Sequence, residues 1–133
     1  MSLKNHLETY CRAFNERSLA GTIAQFADHA VFELPLLGQR LFGVAEIAAG
    51  LRRIFEVTEH ARVTFSDVTA FGPVLIAEGE LQAKLHRDAA PVAMPAAVVL
   101  EVKDGKIARL STYLDARPYR LWSDGPIFAT AQQ

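Results

Sequence analysis

The 133-residue chain is short of the residues that mark particular chemistries. It has one cysteine, Cys11, which excludes an internal disulfide and fits a reducing compartment. Its four histidines, His6, His29, His60 and His86, are scattered. No pair has the i,i+4 spacing of a helical metal site, so no metal is expected. Neither a glycine-rich phosphate loop nor a Gly-x-Ser-x-Gly elbow is present, which argues against nucleotide binding and serine hydrolysis. No apolar run approaches the roughly 18–20 residues that span a bilayer. The start, Met1-Ser2-Leu3-Lys4-Asn5-His6, lacks the apolar core of a signal peptide, so cytoplasmic residence is the default expectation. Nor is there a charge excess. The net charge is −1, and this gives no footprint for nucleic acid or an anionic membrane. Repeats, low-complexity tracts and Pro/Gly/Ser-rich linkers are absent too. A single domain over 1–133 is expected, with its core at about 3–118 and a C-terminal tail at 119–133.

What remains is periodicity. Leu3, Leu7, Tyr10, Cys11 and Phe14 recur at helical spacing, and Cys11 reads as a small buried hydrophobe within that face. Asn15-Glu16-Arg17 ends this helix. Ser18 is the expected N-cap of a second, which buries Leu19, Ile23 and Phe26 and stops near Asp28-His29. Ala30 to Leu36 reads as a strand, Leu37-Gly38-Gln39 as a turn and Arg40 to Phe42 as a short return strand. Gly43 opens a third helix with Ile47, Leu51, Ile54 and Phe55 on its inner face. From His60 the period becomes alternating, and four strands are expected near 61–71, 74–86, 91–103 and 106–115. Asp104-Gly105 is a strong hairpin signal between the last two.

The order α-α-β-β-α-β-β-β-β places the chain in the α+β class. The expected architecture is a cone-shaped, curved antiparallel sheet wrapped around three helices, with an apolar pocket inside. Phe14, Phe26, Phe32, Leu34, Phe55 and Tyr113 are the expected core and pocket wall. On the 74–86 strand, Glu78 and Glu80 alternate with Leu75, Ala77 and Leu81. Two readings stand: Glu78 and Glu80 face solvent, or they face the pocket, where like charges would raise the pKa of one. Glu33, among apolar residues, must be paired, neutral or at the pocket mouth. In the aperiodic tail, Tyr119, Trp122 and Phe128 are candidates to cover the mouth or a partner copy.

Three stretches carry a family resemblance over nearly the whole chain. They are Tyr10-Cys11-Arg12-Ala13-Phe14-Asn15, Phe26-Ala27-Asp28-His29-Ala30-Val31-Phe32-Glu33-Leu34-Pro35, and Asp104-Gly105-Lys106-Ile107 with Tyr113-Leu114-Asp115. With this order of elements, the chain resembles the nuclear transport factor 2-like superfamily, in its SnoaL-like and ketosteroid-isomerase-like branch. The resemblance to ketosteroid isomerases implies that Tyr10 donates a hydrogen bond to a developing oxyanion. The base of those enzymes falls at Leu34, which cannot move a proton, and the carboxylate stands one place earlier at Glu33. Their second acid falls within Ala96-Ala97-Val98-Val99-Leu100, where there is none. The resemblance to limonene epoxide hydrolases implies that Asp115 activates water. That family's water-holding asparagine falls near Glu33 and its Arg-x-Asp pair near Glu78-Gly79-Glu80, while its strand tyrosine is Val31 here.

Two functions follow. One is a cofactor-independent acid/base enzyme (isomerase, cyclase, dehydratase or epoxide-hydrolase-like) acting on a small apolar, oxygen-bearing substrate. Tyr10, Glu33 and Asp115 would be its catalytic groups. Phe14, Phe26, Phe32, Leu34, Phe55, Glu78, Glu80 and Tyr113 would surround the substrate. The other is a non-catalytic ligand-binding or dimerisation module. The test between them is whether at least two of Tyr10, Glu33 and Asp115 open on one cavity. A homodimer through the sheet is expected for both, from the resemblance and the two-sided apolar run Val98-Val99-Leu100.

Overall fold

The computed structural model describes residues 2–86 and 89–115. Helix α1 (Leu3–Asn15) starts where Ser2 Oγ accepts the Asn5 N–H at 3.1 Å, and it buries Leu7, Tyr10 and Phe14. Ser18 caps α2 (Leu19–Ile23) in the same way, accepting the Gly21 N–H at 3.0 Å. The second helix is shorter than its apolar spacing suggests, and β1 (Phe26–Leu34) begins where that helix was expected to continue. Pairing explains this: Phe26 lies opposite Ile107, and the Gln25 carbonyl accepts the Ile107 N–H at 2.9 Å. A long-range ladder thus overrides a local helical pattern.

Pro35 ends β1 and opens a single 3-10 turn, Pro35–Leu37, which leads to β2 (Gln39–Phe42). Helix α3 (Gly43–Val57) follows, with Ile47, Leu51 and Ile54 buried. The remaining strands are β3 (Thr58–Phe71), β4 (Val74–Leu85), β5 (Val92–Lys103) and β6 (Lys106–Leu114). Asp104 and Gly105 take φ values of 53° and 77°, the left-handed pair that the Asp-Gly turn announced.

The six strands form one sheet in the order β2-β1-β6-β5-β4-β3. The expected all-antiparallel sheet is mixed, because β1 runs parallel to β6. Three successive antiparallel pairings from β3 to β6 fix the direction of β6, and β1 lies along it. Helix α1 packs on β3 and α3 on β1, so the helices cover one face of the sheet. That inner face carries Phe32 and Leu34 of β1, Leu75, Ala77 and Leu81 of β4, Val98 and Leu100 of β5, and Leu110 of β6, all buried. Among the described residues, no helix is long and apolar enough to cross a membrane.

The β3–β4 register slips between Phe65 and Asp67, opposite Gly79. A Cβ on Gly79 would lie 1.9 Å from the Thr64 carbonyl oxygen, so only glycine allows the strands to approach this closely.

Two side chains fasten the helices to β3. Asn15 Nδ2 donates to the Val63 carbonyl at 2.9 Å, while Asn15 Oδ1 accepts the Val63 N–H at 2.8 Å. Arg17, at φ 57°, donates to the carbonyls of Phe55 at 2.6 Å and Thr58 at 2.9 Å, and its guanidinium lies 5.2 Å from the Phe55 ring centroid.

Candidate functional site

A cavity of about 50 Å³ lies between the helices and the inner face of the sheet. Alternation along each strand decides which side chains reach it. From β1 come Phe32 and Leu34; from β3, Ala61, Val63 and Phe65; from β4, Leu81 and Ala83; from β5 and β6, Ala96, Thr112 and Leu114. The helix side adds Tyr10 and Phe14 of α1 and Ile54 of α3, and Thr58 stands where α3 gives way to β3. Among the described residues the wall is therefore apolar except for three hydroxyls, those of Tyr10, Thr58 and Thr112.

These hydroxyls differ in what they have left to offer. Thr58 Oγ1 donates to the Ile54 carbonyl at 2.6 Å and accepts from Arg17 at 3.3 Å, so it is committed to the fold. Among the described residues, neither the Tyr10 nor the Thr112 hydroxyl has a hydrogen-bond partner. The Tyr10 ring is fixed edge-on to Phe26 at 6.0 Å and beside Phe14 at 6.1 Å. Burial pushes the Tyr10 phenol far above its ordinary value, with the neighbouring Cys11 adding to the shift. Tyr10 is thus a neutral donor and no base. Burial, then Glu8, pushes the Cys11 thiol up to about 12, which fits its reading as a packing residue.

Glu33 is not in this cavity. Because Phe32 and Leu34 point inward, the residue between them points to the outer face. The register slip in β1 lies before Val31, too early to re-aim it. On the outer face Glu33 is buried at 6% exposure within an ionic cluster. Its Oε1 accepts the Ser111 hydroxyl at 2.5 Å and lies 3.4 Å from Arg109 Nε. Its Oε2 accepts from Arg40 Nε at 2.8 Å. Arg109 in turn donates to Ser111 Oγ and to Glu101, both at 2.9 Å. The Ser111 hydrogen bond, and behind it Arg40, hold the Glu33 carboxyl below its ordinary value despite burial. A carboxylate so held is a structural anion, the opposite of a poised proton carrier.

The other expected site residues divide by strand parity. Tyr10, Phe14, Phe32 and Leu34 line the cavity as expected. Phe26 backs Tyr10 without reaching the space, and Phe55 packs on Phe14 at 5.4 Å beneath Arg17. Glu78 and Glu80 are exposed on the outer face, since Ala77 and Leu81 take the inner one. Tyr113 lies between the cavity residues Thr112 and Leu114 and so faces outward, opposite Ala97. Asp115, half-buried, follows the end of β6; its N–H donates to the Pro95 carbonyl at 3.1 Å, and it is not among the cavity-lining residues. Of the three expected catalytic groups, Tyr10 alone lines this cavity. Tyr119, Trp122 and Phe128 lie outside the described residues.

The sequence reading missed Thr58, Ala61, Val63, Phe65, Ala96 and Thr112. The alternation Leu110-Thr112-Leu114 carries the signal for Thr112, because a hydroxyl at an inward position breaks an apolar series. Among the described residues no group of three or more His, Cys, Asp or Glu could hold a metal ion.

A family model described as "SnoaL-like domain" matches residues 7–110. No curated protein matches the chain. Solved structures do. One is a hypothetical protein with ketosteroid isomerase-like fold from Catenulispora acidiphila, in complex with trimethylamine; it is 17% identical with a TM-score of 0.83, over 97% of this chain and 99% of that one. Another, from Xanthomonas campestris and provisionally named a polyketide cyclase, is 23% identical with a TM-score of 0.77, over 87% and 92%. A third is an LEH-like epoxide hydrolase of M. tuberculosis, 23% identical with a TM-score of 0.73, over 84% and 81%. At these identities the likeness is one of fold.

Proposed function

Since the chain belongs to the SnoaL-like domain family, we propose that its inner cavity binds a small apolar molecule carrying an oxygen, and that binding is its function. One observation carries this: the cavity wall presents two open hydroxyls, Tyr10 and Thr112, on an otherwise apolar surface, and no carboxylate or imidazole among the described residues. Such a wall favours a neutral ligand oriented by hydrogen bonds and supplies no proton carrier. A thermal-shift screen against enones, epoxides, aromatic polyketides and fatty acids tests it, each hit being incubated and then examined by mass spectrometry. Hits are expected to raise the melting temperature, to be recovered unchanged, and to bind about five- to tenfold more weakly to Tyr10→Phe, the worth of roughly one neutral hydrogen bond.

Asp115 supports a second reading. It directly follows the cavity residue Leu114, at the end of β6, where it is half-buried. If it reaches the ligand, the protein is an acid/base enzyme of the cyclase, isomerase or epoxide-hydrolase type named among its structural neighbours. Conversion of a hit, abolished by Asp115→Asn, would decide for it. We also propose that two copies of the chain join through the outer face of the sheet.

A further inference from the structure

The ligand-binding reading leaves open which end of the molecule enters and what that end must be. Three features of the cavity bear on this: its volume, its charge and its hydrogen-bonding groups.

The volume is about 50 Å³. One water needs about 10–15 Å³ on such a measure, and a cavity of about 150 Å³ holds benzene. The space is therefore larger than a water site and smaller than a ring site. The sheet side of the wall explains its depth. Ala61 and Ala83 lie directly opposite each other on β3 and β4, and Ala96 stands on β5. Where three methyl groups meet a wall that also holds larger side chains such as Phe14, Phe32 and Leu81, a shallow recess is left. A larger aliphatic side chain at any of the three would occupy it.

Charge is the second constraint. Among the described residues no charged side chain lines the space, and burying an unpaired ion there is heavily disfavoured. Hydrogen bonding is the third. Tyr10 and Thr112 open on the same cavity without partners among the described residues. One carbonyl or ether oxygen has two lone pairs with which to accept from both.

We propose that the part of the ligand entering this recess is a slim, uncharged, oxygen-bearing group such as a methyl ketone, held by the Thr112 and Tyr10 hydroxyls, with any ring left outside it. This rests on the binding reading above, and it makes Thr112 and the alanine trio the determinants of specificity.

Four probes separate the constraints: acetophenone, ethylbenzene (no oxygen), benzoate (charged) and benzophenone (a carbonyl flanked by two rings). Their dissociation constants are read from amide chemical-shift titrations on the full chain. Acetophenone is expected to bind at least tenfold more tightly than each of the other three. Thr112→Val should weaken acetophenone about tenfold and leave ethylbenzene unchanged, while Thr112→Ser should restore acetophenone affinity. Filling the recess by Ala83→Leu, or by the smaller Ala96→Val should the first variant fail to melt cooperatively, should remove acetophenone binding. Benzoate or benzophenone matching acetophenone, or Thr112→Val leaving acetophenone unaffected, would overturn the inference and leave the binding reading standing. If no probe binds the wild-type chain, or binding persists in both filled variants, the cavity reading fails and this inference fails with it.

Discussion

Glu33 ties stability to pH. Its folded carboxyl lies below the ordinary value, chiefly through Ser111 and then Arg40, so the unfolded chain binds the proton more readily. The stabilisation it contributes is complete above the unfolded carboxylate range, near pH 4.3, and is lost as pH falls through the lower folded value. Glu33→Gln should cost about 1–3 kcal/mol at pH 7, because the amide removes the charge facing Arg40 and Arg109 and turns one of the two acceptor oxygens into a donor among donors. Its stability should also fall less steeply with acid than that of the wild type, measured by urea unfolding at pH 3 to 7. An equal loss at every pH would refute this role. At this scale the sequence was partly legible. Tyr10 and Phe14 were recognisable as pocket wall from helical spacing, and Phe32 and Leu34 from residue type and strand parity. The partners of Glu33 were not, because Ser111 and Arg109 lie 78 and 76 positions away in sequence, and only the pairing of β1 with β6 brings them close.

At the scale of elements, local signals held where their cause is local. The cap Ser18 and the Asp104-Gly105 turn depend on residues a few positions apart, and they stand where the sequence puts them. The boundary between α2 and β1 depends on Ile107, a distant partner, so the spacing of Leu19, Ile23 and Phe26 was misleading. The parallel course of β1 against β6 has the same origin, since no pattern within either strand encodes it. Gly79 belongs here too. It sits inward on β4 between Ala77 and Leu81, where an apolar side chain would fit the alternation, yet it is glycine because of the backbone crossing it. Gly79→Ala should destabilise the fold by about 1–3 kcal/mol, as overpacked sites do. The melting temperature measures this, and a variant as stable as the wild type would mean that β3 yields at Thr64 without cost.

For the molecule as a whole, the sheet has two differently furnished faces. The inner face is covered by helices and encloses the cavity. The outer face carries the Glu33 ionic cluster and, beside it, Val31, Ala97, Val99, Tyr113 and the 41% exposed Ile76. The expected two-sided apolar run divides accordingly, with Val98 and Leu100 inward and Val99 outward. That mixture of half-buried aliphatic and paired ionic groups is why we place the contact between two copies there. Sedimentation at micromolar concentration should give a dimer that Val99→Glu converts to monomer; a wild-type monomer would reject the proposal. The side chain of Asn15 bears on association of another kind. Strand β3 is 14 residues long and, among the described residues, lies at the end of the sheet and pairs with β4 alone. Such a border offers unmet peptide groups on which foreign strands can grow. At Val63 both of those groups are already taken, because the Asn15 amide imitates a peptide unit and answers donor with acceptor and acceptor with donor. One helix-terminal asparagine thus occupies both peptide groups near the middle of the border, at a point where an incoming strand would need them.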